Sequence, residues 1–197
     1  MQEEHMKSWS YKLVFLLLIS CIMLTACGSK IENPLNWKMD SFSYVNQDQK
    51  KVGLSQLKGN VWVANFIFTS CETVCPPMTA HMAKLQKMAK DEGLDVRFVS
   101  FSVDPEVDTS PKMKDYATKF GADFSNWDFL TGYKQAEIEK FALDQFKTIV
   151  KKPQENPQVI HGTDFFLIDK DGVIQKSYQG VTDPPYEDMI KDIKTLQ

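Results

Sequence analysis

The sequence predicts an α/β fold in which a mixed central sheet is flanked by helices and entered through a small N-terminal hairpin. Three observations predict it. Residues 61–68 (VWVANFIF) are an almost continuous apolar run and residues 96–103 (VRFVSFSV) a second, apolar-rich one, the pattern of central strands covered on both faces. Between them Met78, Met82, Leu85 and Ala89 recur at spacings of four, three and four, which marks a helix with one buried face. Beyond the second run, strand and helix patterns keep alternating and close with a hairpin and a last helix, the order of a layered α/β domain.

Taken in order, residues 1–26 read as an export signal. Lys7 and Lys12 flank its start, and the apolar stretch 13–24 is shorter than the ~20 residues of a spanning helix. Leu24-Thr-Ala-Cys27 closes it in the manner of a processing site. That ending resembles a bacterial lipobox, which implies cleavage before Cys27 and lipid on its sulfur; an uncleaved signal anchor is the competing reading. Removing residues 1–26 leaves 197 − 26 = 171 residues, enough for one domain with a substantial core. Two Lys and two Glu leave together, so the net charge stays at −3, which argues against a nucleic-acid partner. Residues 27–37, with Gly28, Ser29, Asn33 and Pro34, read as the lipidated cysteine and its tether, and residues 38–197 as the folded domain.

Inside that domain, residues 42–45 and 52–54 flank Asn46-Gln47-Asp48 as a hairpin. After the second apolar run come Asp104-Pro105, a helix over 111–120, a short strand over 127–130 and a helix over 134–146. Residues 147–159 are polar, carry Pro153 and Pro157, and are expected to be a loop. Residues 165–168 and 173–178 flank Asp169-Lys-Asp-Gly172 as a second hairpin, and a helix over 186–196 follows Pro184-Pro185. No internal repeat or low-complexity tract interrupts this order.

The chemistry concentrates in Cys71-Glu-Thr-Val-Cys75-Pro76. Two soft, oxidisable sulfurs stand at the carboxyl end of a buried strand and the mouth of a helix, where open α/β sheets place their sites; the arrangement is thioredoxin-like. Cys21 leaves with the signal and Cys27 takes the lipid, so Cys71 and Cys75 are the free thiols of the mature chain. An exported protein meets an oxidising environment in which such a pair can close. Residues four apart on a helical turn have Cβ atoms about 5–6 Å apart, which permits either a disulfide or a shared metal ion. A purely structural bridge over one turn closes too short a loop to stabilise much.

His161 is the third candidate. It precedes the strand expected to lie beside the cysteine-bearing one, and at this level a metal ligand and a surface histidine bonded to backbone are equally good readings. His5 leaves with the signal, and His81 borders the apolar face of the helix after Cys75 as an ordinary helical side chain. Met78 and Met82 are expected to fill the core rather than bind metal. Asp104 and Asp108 follow the second strand at the end that bears the sulfurs, with turn formation and helix capping as the simpler role. Two thiolates and an imidazole suit copper, whereas a closed structural zinc site wants four protein ligands.

Phe66-Ile-Phe-Thr-Ser-Cys71-Glu-Thr-Val-Cys75-Pro76, Val103-Asp104-Pro105-Glu-Val-Asp108-Thr109, and His161 followed by Asp169-Lys-Asp-Gly172 together resemble the SCO family of copper-binding assembly factors for cytochrome c oxidase. The likeness spans about residues 40–197. It implies a thioredoxin-like fold, one Cu(I) or Cu(II) ion per chain on Cys71, Cys75 and His161, and a role for Asp104 in tuning the site. It also implies a monomeric copper chaperone, lipid-anchored to the cell membrane through Cys27 on the extracytoplasmic side, whose partner is oxidase subunit II and its dinuclear copper centre. The alternative is a thiol-disulfide oxidoreductase that keeps the cysteines of subunit II reduced; the Cys-x-x-x-Cys spacing counts against it, since thioredoxin-type catalysts use Cys-x-x-Cys. A peroxide-reducing enzyme is disfavoured, because Phe68 and Glu72 stand where the Thr-x-x-Cys of peroxiredoxins would place a threonine.

Overall fold

A computed structural model of the chain describes residues 31–154 and 158–197. Residues 1–26, read as an export signal, and Cys27 lie outside the described residues. The strands are β1 (Trp37–Lys38), β2 (Ser43–Val45), β3 (Lys51–Gly53), β4 (Val61–Ile67), β5 (Val96–Ser102), β6 (Trp127–Leu130), β7 (Val150–Lys151), β8 (Ile160–His161), β9 (Asp164–Ile168) and β10 (Val173–Gln179). The helices are α1 (Leu54–Leu57), α2 (Cys75–Asp91), α3 (Ser110–Lys119), α4 (Gln135–Phe146) and α5 (Tyr186–Leu196). Among the described residues no helix is long and apolar enough to cross a membrane.

Six strands form one sheet in the order β1-β10-β9-β4-β5-β6. β4, β5 and β6 run parallel, while β9 lies antiparallel to β4 and β10 antiparallel to β9, so the sheet is mixed as expected. All seven residues of β4 are buried, which is why its sequence carries no polar alternation. Phe66 and Phe101 stand opposite each other in the β4–β5 register, and their rings meet Phe146 of α4. This aromatic cluster seats α4, each ring burying ~1.5–3 kcal/mol worth of apolar surface. The buried face of α2 carries Met78, Met82, Leu85 and Ala89, the four positions read from the spacing.

The outer margin of the sheet is finished by side chains. Val45 and Thr131 form an isolated bridge that attaches the β2–β3 hairpin beside β6. Next to it the Gln47 amide accepts from the Phe129 N–H at 2.8 Å and donates to the Trp127 carbonyl at 3.4 Å, standing in for a neighbouring strand. Asn46 donates to Asp128 at 2.7 Å, and Arg97 pairs with the other oxygen of that carboxylate.

Three expectations need correction. The tether does not extend through Trp37: the Leu35 N–H donates to the Gln175 carbonyl at 2.8 Å, and Trp37 and Lys38 pair with Ile174 and Val173 as β1. Residues 147–159 are not simply a loop, because Val150 and Lys151 pair with His161 and Ile160. That pairing builds a two-strand ribbon, β7–β8, too short to leave a periodic signal in polar sequence. Cys71 and Cys75 do not share a helical turn either: α2 begins at Cys75, and Cys71 lies ahead of the bend that leads into it.

Candidate metal centre

The cysteine segment is built by an unusual helix start. The first turn of an α-helix normally leaves several N–H groups without partners, but Pro76 and Pro77 have none to offer. The Met78 N–H already reaches the Val74 carbonyl at 3.1 Å. What remains is the Cys75 N–H, and it donates to Cys71 Sγ at 3.3 Å. No side chain caps the helix in the usual way and its first turn holds no acidic residue, so the Cys71 sulfur takes the capping position at the positive end of the helix dipole.

The segment before the cysteines is anchored from below. Asp108, fully buried, accepts the Thr69 N–H at 3.2 Å, the Thr69 hydroxyl at 2.5 Å and the Ser102 hydroxyl at 2.6 Å. Burial holds its carboxyl above the ordinary range despite these donors. Asp104 is also buried, but its carboxylate pairs with Lys152 Nζ at 2.7 Å. Asp104 does open a turn, its carbonyl accepting from the Val107 and Asp108 N–H groups at 3.0 and 2.9 Å, but neither aspartate caps α3, whose N-terminus has no side-chain cap, and both side chains anchor neighbouring segments instead.

His161 arrives on β8 from the far side. Its Nδ1–H donates to the Gly162 carbonyl at 2.8 Å, which orients the ring and turns Nε2 toward the sulfurs. Nε2 lies 3.3 Å from Cys75 Sγ, and the Phe68 ring stands edge-on to the imidazole with centroids 5.7 Å apart. Cys71 Sγ, Cys75 Sγ and a His161 nitrogen all lie within 4.8 Å of one another. The three residues singled out in the sequence therefore converge on one point, and both thiols are free and buried.

The two sulfurs share a proton unevenly. Cys71 is held as the thiolate, its pKa lowered to about 3, first by a hydrogen bond from the Cys75 thiol and further by His161, the Cys75 N–H and Thr73. Cys75 retains the proton, pushed well up by that same hydrogen bond and then by burial. One anionic sulfur, one thiol and one imidazole form a half-deprotonated soft donor set. Such a set favours copper over harder ions, and three donors leave a position open to an incoming ligand.

The other sequence candidates fall elsewhere. His81 accepts from the Tyr186 hydroxyl and donates from Nε2 to the Val181 carbonyl at 3.1 Å, pinning α2 to the start of α5. Met78 and Met82 are wholly buried in the core. Sequence reasoning did not single out Lys152 or Thr69, whose roles depend on partners dozens of residues away.

The SCO1/SenC family profile matches residues 32–197. The chain is 53% identical over 183 residues to the SCO1 protein homolog of Bacillus subtilis (strain 168), spanning 93% of this chain and 92% of that protein. A solved SCO1/SenC family lipoprotein from Bacillus anthracis str. Ames superposes with a TM-score of 0.83 at 56% identity, covering 85% of this chain and 99% of the other. BsSco, a member of the Sco family of cytochrome c oxidase assembly proteins in which a disulfide switch has been identified, gives 0.80 at 54% identity over 85% and 98% of the two chains. ScoI of Bradyrhizobium japonicum, solved with copper bound, gives 0.67 at 28% identity over 81% and 99%.

Proposed function

The chain belongs to the SCO1/SenC family, and we propose that it is a membrane-anchored copper chaperone for cytochrome c oxidase. On this reading Cys71, Cys75 and His161 hold one Cu(I) or Cu(II) ion, which passes by ligand exchange to the dinuclear copper centre of oxidase subunit II. The observation that carries the reading is the convergence of two sulfurs and an imidazole nitrogen within 4.8 Å. His161 is what separates it from simple thiol chemistry, because a disulfide needs no imidazole. The copper-bound relative from Bradyrhizobium japonicum and the oxidase-assembly role of BsSco support it. The Leu-Thr-Ala-Cys27 ending, together with the lipoprotein nature of the Bacillus anthracis relative, supports a lipid anchor on Cys27 that holds a monomeric domain on the extracytoplasmic side.

The deciding experiment is titration of the reduced protein with Cu(II), followed by absorption and EPR. A tight one-to-one complex with sulfur-to-copper charge transfer is expected. His161→Ala should weaken it by more than the roughly 10–100-fold that loss of an outer-sphere partner costs. Wild-type copper affinity and intact oxidase assembly in that variant would overturn the reading.

One observation favours a second reading, reduction of the subunit II cysteines. Cys71 is already a thiolate beside a protonated Cys75, and a disulfide switch operates in BsSco. Here Cys71 attacks a partner disulfide and displaces one partner thiolate. Cys75 then loses its proton and attacks Cys71, so the internal disulfide forms and two electrons pass to the partner. If Cys75→Ser still supports oxidase assembly, this reading fails.

A further inference from the structure

The two ligand-bearing segments come from distant parts of the chain, yet both are held by one short connection between β5 and α3. At its far end Asp108 grips Thr69, two residues before Cys71. At its near end Asp104 grips Lys152, the residue immediately after β7. Because Val150 of β7 is paired with His161 of β8, a tie at Lys152 reaches, through the ribbon, the backbone that carries the imidazole. The Lys152–Asp104 contact is 2.7 Å long, with only 4% of the aspartate side chain and 23% of the lysine side chain exposed. Glu106 adds a second, exposed oxygen at 3.0 Å. From the opposite side, Glu139 of α4 accepts the Lys152 N–H at 3.0 Å and the Lys151 ammonium at 3.0 Å.

We infer that Lys152 is a positioning residue: its ion pair with Asp104 clamps the β7–β8 ribbon to the connection that also anchors the cysteine segment, and so sets the gap between His161 and Cys75. The inference rests on the reading of His161 as a copper ligand and deepens it by naming what presents that ligand. A ribbon of two residue pairs has little cohesion of its own. A buried carboxylate facing a single ammonium makes a tie that is costly to break, since breaking it strands a charge away from water. Asp104 thereby acts on the site through the ribbon, without touching the metal.

The test uses the full chain purified in detergent, in three variants. Lys152→Met keeps the apolar stem and removes the charge; Lys152→Arg keeps the charge; Lys152→Met with Asp104→Asn removes both charges, so that no stranded carboxylate remains. Amide hydrogen exchange of the metal-free protein is read across Val150–Lys151 and Ile160–His161, with Thr69–Cys71 as the internal reference. Exchange in the ribbon should accelerate about tenfold or more in Lys152→Met and in the double variant, stay near wild type in Lys152→Arg, and leave Thr69–Cys71 unchanged. Cu(II) affinity should fall by roughly 10–100-fold in the first two variants, the effect expected of an outer-sphere partner, with an altered EPR signal that the arginine variant restores. Wild-type ribbon exchange in Lys152→Met would overturn the inference. Recovery in the double variant would overturn it too, because the effect would then belong to the stranded charge and not to the tie. The exchange measurement needs no metal, so it decides the clamp even if His161 proves not to bind copper.

Discussion

Replacing Gly162 by alanine tests how narrowly the imidazole is held. A Cβ at that position would stand 1.9 Å from the Thr148 hydroxyl oxygen and 3.2 Å from Thr148 Cβ. Ordinary contact begins at 3.4 Å, so the segments must separate by 3.4 − 1.9 = 1.5 Å unless Thr148 turns. Turning Thr148 about its single side-chain bond still leaves the 3.2 Å contact. Overpacking of this kind costs about 1–3 kcal/mol, or roughly 2–12 °C in Tm for a chain of this size. Metal sites hold their distances to about ±0.2 Å, so even a fraction of the displacement spoils a nitrogen that now lies 3.3 Å from Cys75 Sγ. Gly162→Ala, Thr148→Ala and the pair together should be compared by thermal unfolding and by Cu(II) titration with EPR. Gly162→Ala alone should lose stability and about 10–100-fold in affinity. Removing the Thr148 hydroxyl and methyl in the double variant should restore most of both. Unchanged binding in Gly162→Ala, or losses that simply add in the double variant, would refute the packing argument.

Two further outcomes follow from the electrostatics. The reduced, metal-free protein should carry one thiolate at neutral pH, visible by far-ultraviolet thiolate absorbance down to about pH 3, because Cys71 is depressed to about 3 while Cys75 is raised. Cys71→Ser should abolish that signal and Cys75→Ser should shift its midpoint upward, since the Cys75 hydrogen bond is the largest cause; two thiols titrating together near 9.0 would contradict the assignment. For Asp108, burial raises the folded pKa above the ordinary 3.8, so the folded chain binds that proton more tightly than the unfolded chain. Wild-type stability therefore falls as pH rises through the window between 3.8 and the folded value. Asp108→Asn removes this slope and turns an amide N–H₂ toward donors, costing about 1–3 kcal/mol, with the deficit largest at the acid side of the window. Urea unfolding at several pH values measures it, and equal midpoints for variant and wild type throughout would count against the anchoring role.

Much of this was legible in the sequence because burial on both faces leaves a mark that needs no partner to be read. The run that became β4 is apolar at all but Asn65, the one that became β5 keeps Val96, Phe98, Val99 and Phe101, and the 4-3-4 spacing of α2 survives intact. The cysteine pair was equally plain, since its chemistry lies in the residue types and their place after a strand. What escaped notice depends on contacts between distant residues. β1 and β7 are two residues long and exist through their pairing with β10 and β8. Cys71 was expected on a helical turn, but the two prolines after Cys75 leave the Cys75 N–H as the remaining donor of the first turn, and Cys71, placed before the helix, caps it with its sulfur. Asp104 and Asp108 look alike as acidic residues after a strand, yet one holds the histidine segment and the other the cysteine segment, a division set by which way each side chain faces.

The Gln47 amide beside β6 bears on how another protein can approach. By occupying the Trp127 carbonyl and the Phe129 N–H it takes from that margin two of the groups with which a visiting strand would pair. Main-chain augmentation is hindered on that flank, and a guest gains more by arriving end-on, over the turns that hold the buried sulfurs and the half-buried imidazole. Specificity on such an approach is written in the side chains of those turns and in the angle at which they are met.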